Sequence, residues 1–189
     1  MKRFMLTVAY DGTAYAGFQV QKNCPTIEGE LNRALSGLLR EEIRVIGASR
    51  TDAGVHALCN VAVFDSDTAI PAEKLAYALN AGLPEDIRIQ KSEEAAPDFH
   101  PRHCESRKTY EYRITRGQFP VPVKRLYSCF TYHALNVDKM RKAAQYLIGE
   151  HDFKAFCAAA AVVESTVRTI YAIEVAEEGA DVVIRVCGN

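Results

Sequence analysis

The sequence predicts an α+β protein of two pseudo-repeated ferredoxin-like β-α-β-β-α-β units with antiparallel sheets, the second unit incomplete. Three observations carry this. Along residues 1–95 the apolar pattern alternates between the strand period of two and the helical period of about 3.6. A similar order begins again near residue 106. The 189 residues are 48% hydrophobic and 25% charged, enough to bury a core, and they hold no apolar run of the roughly 18 residues a membrane span needs.

In the first unit, assigned to residues 1–95, residues 3–10 form the opening strand. Pro25 and Thr26 start a helix to about Arg40, with Ile27, Leu31, Leu35, Leu38 and Leu39 on one face. Strands follow at 42–48 and 58–65, a helix from Pro71 to about Asn80, ended near Gly82, and a strand at 86–91. In the second unit, assigned to residues 96–189, residues 106–115 alternate as a strand, and residues 116–135, with Pro120 and Pro122, form a long connection. Val137–Ile148 spaces Met140, Ala144, Leu147 and Ile148 for one helix face. Strands at 167–176 and 181–187 meet at Glu178-Gly179. The closing helix and strand of the repeat are missing, so Val182, Ile184 and Val186 are expected to expose apolar surface beside an unpaired edge.

The net charge of −1 does not advertise nucleic acid, but its distribution is uneven. From Phe99 to Leu126, Arg102, Arg107, Lys108, Arg113, Arg116, Lys124 and Arg125 are opposed only by Glu105 and Glu111. Such a band suits a phosphate-binding face, and equally a solvated strand of alternating charge. The six cysteines are scattered without a C-x-x-C pair, the pattern of reduced thiols in a cytoplasmic protein. His100, His103 and Cys104 are three crowded donors without a fourth, short of a zinc set. Met1–Phe4 leads into a strand without a signal-peptide core.

The most informative segment is Ser49–Ala57, a polar knot between two apolar runs, Ile43–Ile46 and Leu58–Phe64. It places Arg50, Thr51, Asp52 and His56 on a loop held by a sheet, a common arrangement for catalytic groups. Gly54 allows a tight turn there. An ordinary hairpin with Asp52 as its turn cap has the same composition. Gly-rich phosphate loops, Cys–His pairs and Ser–His–Asp sets are not evident.

The whole run Arg50-Thr51-Asp52-Ala53-Gly54-Val55-His56-Ala57 resembles the signature of the tRNA pseudouridine synthase A family. Further segments resemble the family in the same order: Tyr10-Asp11-Gly12-Thr13, Gly17-Phe18-Gln19-x-Gln21, Asn80-x-x-Leu83-Pro84, Phe99-His100-x-Arg102, Arg107-Lys108-Thr109-Tyr110-x-Tyr112 and Gly149-x-His151-Asp152-Phe153. Phe18 stands where the family usually has Trp. The resemblance implies a cytoplasmic homodimer that isomerises uridine to pseudouridine in the anticodon stem-loop of tRNA, without cofactor, metal or membrane. It assigns Asp52 as the catalytic carboxylate. Arg50 would hold the flipped nucleotide's phosphate or fill the vacated space, and Tyr110 would stack on the target uracil. His56, Arg102 and Arg107 are candidates for RNA phosphate contacts, His56 equally for a structural role. Of Tyr110 and Tyr112, one is expected buried and one exposed. The next family motif, Gly-Phe-Leu-x-x-Met-Val-Arg, whose Arg pairs with the catalytic Asp, does not occur before Asn189. A truncated, catalytically impaired tRNA-binding module is therefore the alternative expectation.

Overall fold

Strand β1 (Lys2–Tyr10) buries Phe4, Leu6, Val8 and Tyr10 on one face, the alternation its sequence dictates. A computed structural model describes residues 1–157 and 165–189. Helix α1 (Ile27–Leu39) is capped by Thr26, whose hydroxyl accepts the Gly29 N–H (3.2 Å). Its apolar stripe, Ile27, Leu31 and Leu35, packs with Leu75 and Leu79 of α2 (Ala72–Asn80) against the buried face of β1. Each such side chain, fully buried, contributes roughly 1.5–3 kcal/mol. With β2 (Ile46–Gly47), β3 (Ala57–Ser66) and β4 (Ile87–Ala95) the sheet has the order β2-β3-β1-β4, antiparallel throughout. This is the predicted β-α-β-β-α-β unit.

One strand is shorter than expected. Residues 42–45 do not join the ladder because α1 takes their donors: Ile43 N–H donates to Ser36 Oγ (2.9 Å) and Val45 N–H to Asn32 Oδ1 (2.8 Å). Ile43 and Val45 are still buried, so the apolar run joins the core without joining the sheet. Residues 96–104 tie back to this unit. Arg3 Nη1 donates to the Phe99 carbonyl (2.8 Å) and Arg102 Nε to the Gly47 carbonyl (2.8 Å), and the unit runs from Met1 to Cys104.

The second unit, Glu105–Asn189, has a five-stranded sheet of order β6-β5-β9-β8-β7. These strands are β5 (Lys108–Arg116), β6 (Cys129–Thr131), β7 (Gly149–Asp152), β8 (Val167–Glu178) and β9 (Asp181–Gly188). Helix α3 (Val137–Gln145) packs Val137, Met140 and Ala144 against Ile114, Val175, Val182 and Ile184. The expected exposure of Val182 fails: it is fully buried, and β9 lies between β5 and β8 with both edges paired. The sheet edges are instead the short β6 and β7, neither of which the sequence pattern predicts. β6 pairs parallel with β5 from within the connection that follows it.

Candidate active site

The Ser49–His56 loop is clamped from several sides. Phe18 N–H donates to the Thr51 carbonyl (3.0 Å), Gly54 N–H to the Tyr15 carbonyl (3.2 Å) and Val55 N–H to the Asp52 carbonyl (3.2 Å). Gly17, at φ +101°, lies so close that a Cβ there would stand 2.6 Å from the Thr51 carbonyl oxygen. Beneath the loop, the buried Asn60 amide donates to the Tyr10 hydroxyl (3.1 Å) and to the Ser49 carbonyl (3.1 Å), and accepts the Ser49 N–H (3.3 Å). The Tyr10 hydroxyl is 2.8 Å from Thr51 Oγ1.

This rigid loop presents Arg50 and Asp52 to solvent. Among the described residues, neither side chain has a hydrogen-bond or ion-pair partner. Asp11, the other carboxylate beside this loop, is committed. Its Oδ1 accepts the Thr13 N–H (3.0 Å) and the Thr13 hydroxyl (2.6 Å), and it lies 3.0 Å from His56 Nδ1. His56 Nδ1 also accepts the Gly12 N–H (3.1 Å), so this ring nitrogen is built into the scaffold. The neutral tautomer with its proton on Nε2 satisfies Gly12, whereas a proton on Nδ1 would pair with Asp11. Asp52 is thus the carboxylate here that the scaffold does not engage among the described residues.

Arg102 spends Nε on the Gly47 carbonyl, which leaves the outer guanidinium nitrogens exposed beside β2. The His100 and His103 rings lie tilted against each other, 4.3 Å between centroids. Burial, reinforced by the positive charge of His103 and Arg102, holds the His100 pKa below the usual value. Among the described residues, no three His, Cys, Asp or Glu side chains are grouped to hold a metal.

The remaining candidates lie in the second unit. Tyr110 and Tyr112 are each 56% exposed, and the expectation of one buried and one exposed is wrong. Two residues apart on β5, they share a face and pair across strands with Val186 and Ile184 of β9. The neighbouring Cys129 thiol, with burial, raises the Tyr112 pKa. Tyr110 has no such partner among the described residues. Arg107 places its guanidinium 4.6 Å from the centroid of the Tyr171 ring.

The basic band shrinks on folding. Arg113 pairs with Glu111 (2.9 Å), Glu178 (3.0 Å) and Asp181 (3.2 Å), Arg116 with Glu177 (2.9 Å), and Lys124 with Asp181 (2.8 Å). Of the seven cations in the band, Arg102, Arg107, Lys108 and Arg125 make no ion pair among the described residues.

A family model described as tRNA pseudouridine synthase matches residues 6–103 and 143–189. Over 171 residues the chain is 47% identical to the tRNA pseudouridine synthase A of Thermoanaerobacter sp. strain X514, covering 90% of this chain and 70% of that protein. The chain belongs to the tRNA pseudouridine synthase family. It is also 46% identical over 190 residues to the tRNA pseudouridine synthase A of Ruminiclostridium cellulolyticum, with 100% and 78% of the two chains covered. For that of Bacillus licheniformis the identity is 41% over 189 residues, covering 99% and 76%.

The stretch matched to the tRNA pseudouridine synthase family model includes Arg50, Asp52, His56 and Arg102, while Arg107 and Tyr110 fall between its two segments. Sequence reasoning gave no role to Tyr10 or Asn60. The available signal was Asn60 itself, a polar amide inside the apolar run of β3, where a buried polar group must find partners.

Proposed function

We propose that this chain converts uridine to pseudouridine in the anticodon stem-loop of tRNA, with Asp52 as its catalytic carboxylate. The observation that supports this best is the contrast between two loop acids. Asp11 is consumed by the scaffold, while Asp52, in the segment that resembles the family signature, is exposed and uncommitted on a clamped backbone.

The reaction breaks the bond between ribose C1′ and uracil N1, turns the base, joins C1′ to C5, releases the C5 proton to solvent and returns a proton to N1. It is redox-neutral. An ionised carboxylate serves it as a nucleophile at the ribose or the base, or by stabilising the cationic sugar. The target must leave its stack first. Arg50, on the same loop, is suited to hold the flipped nucleotide, and Arg102, Arg107 and the His56 ring edge to contact phosphates. Tyr110 offers an exposed ring for uracil to stack on, an interaction worth ~1–3 kcal/mol per base. We place the enzyme in the cytoplasm as a homodimer, by family resemblance. All six cysteines are unpaired, which suits a reducing compartment.

One observation favours a second reading, tRNA binding without turnover: among the described residues no cation pairs with Asp52. The two separate in a tritium-release assay on tRNA labelled at uridine C5. The first expects release from the wild-type chain and none from Asp52→Asn, with tRNA binding changed less than about threefold. If the wild-type chain binds tRNA and releases nothing, the second reading holds. Turnover by Asp52→Asn above about a tenth of wild type refutes the assignment of Asp52.

A further inference from the structure

Accepting Asp52 as the catalytic carboxylate, we infer that Asn60 and Tyr10 are positioning residues for the reaction, acting through Thr51 on the backbone that carries Asp52. Both side chains are almost fully buried, Asn60 at 5% and Tyr10 at 4% exposure. Stability alone would favour Phe at position 10, where the ring lies 6.3 Å from the buried Phe18 ring, and an apolar residue at position 60, like its β3 neighbours Ala62 and Phe64. Buried polar groups are tolerated where they are satisfied, and these are satisfied largely by the loop and by each other.

The Asn60 end of the chain follows from the donor inventory. The two amide hydrogens of Asn60 go to the Ser49 carbonyl and to the Tyr10 oxygen. The phenol, having accepted there, shares a second hydrogen bond with Thr51 Oγ1, in which either oxygen can donate. Asn60 thereby holds Ser49, at the start of the loop, by side-chain bonds to both its N–H and its carbonyl, and reaches Thr51 through Tyr10. Thr51 is drawn inward and half-buried, while the next residue, Asp52, stands exposed. The phenol and the hydroxyl touch no reacting atom in this arrangement. They fix the peptide from which the carboxylate departs, and a displacement of about 1 Å there can lower a rate roughly 100-fold.

The test uses Tyr10→Phe, Thr51→Val, their double variant and Thr51→Ser, assayed beside Asp52→Asn. Tyr10→Phe and Thr51→Val are each expected to lower kcat about 10- to 100-fold, with KM and tRNA Kd within about threefold and the melting temperature nearly unchanged. The double variant should lose no more than the worse single one, because both remove the same bond. Thr51→Ser, which keeps the hydroxyl, should restore most of kcat. If Tyr10→Phe keeps kcat within about twofold while Asp52→Asn is inactive, the positioning role is refuted and the site stands. Additive losses, or losses that track the melting temperature or tRNA binding, also refute it. An active Asp52→Asn overturns the site itself.

Discussion

Replacing Gly17 by Ala tests how closely the β1–α1 connection supports the candidate catalytic loop. Gly17 has φ +101°, and an added Cβ would stand 2.6 Å from the Thr51 carbonyl oxygen and 3.3 Å from the Asp52 carbonyl carbon. Both obstacles are backbone, so no side chain can swing away. A non-glycine residue at such angles costs about 1–3 kcal/mol. Moving the Thr51 carbonyl also strains the hydrogen bond it accepts from Phe18 N–H, worth about 1 kcal/mol. Together these give a destabilisation of roughly 2–4 kcal/mol. Gly54, on the same loop, is the control. Its φ is +77°, but a Cβ there meets nothing within 4 Å, so Gly54→Ala should cost only the left-handed strain of about 1–2 kcal/mol. Urea unfolding of both variants, with kcat for tRNA, measures the difference. Gly17→Ala should be the less stable variant and lose at least about tenfold in kcat, because Asp52 follows Thr51. If Gly17→Ala is no less stable than Gly54→Ala and turns over at the wild-type rate, Gly17 does not brace the loop.

Two further outcomes follow from the charges of the second unit. The tRNA affinity should fall with added salt, and Arg107→Ala should reduce the slope of log K against log salt by about one unit. Arg113→Ala should leave that slope unchanged, since its guanidinium is held by Glu111, Glu178 and Asp181; equal effects of the two changes would contradict this division. Asp181 sits at 4% exposure, and its hydrogen bond from Lys124, aided by those from Thr115 and Arg113, outweighs burial and holds its pKa below the usual carboxylate value. A depressed folded pKa contributes stability above the unfolded value of about 3.9 that is lost as pH falls through the folded one. Asp181→Asn should therefore melt lower than wild type at pH 7, with the gap closing below about pH 4; a gap constant with pH would refute this linkage.

What the sequence determined by itself was whatever depends on local spacing. The alternation of β1, the Ile27, Leu31 and Leu35 stripe of α1 and the polar knot around Asp52 are all written in adjacent residues, because strand and helix periods act within a few positions. The tertiary structure decided what depends on partners distant in sequence. Residues 42–45 read as strand, and Ser36 and Asn32 of α1 took their donors. β6 and β7 are too short to show a period and form only because β5 and β8 lie alongside to accept them. Arg113, Arg116 and Lys124 looked like a phosphate-binding band until Glu177, Glu178 and Asp181 were folded against them. Tyr10 and Asn60, far apart in the chain, meet beneath Thr51 because β1 and β3 pair with Val8 opposite Asn60. Strand register is a property of two segments at once, so neither segment alone could announce that contact.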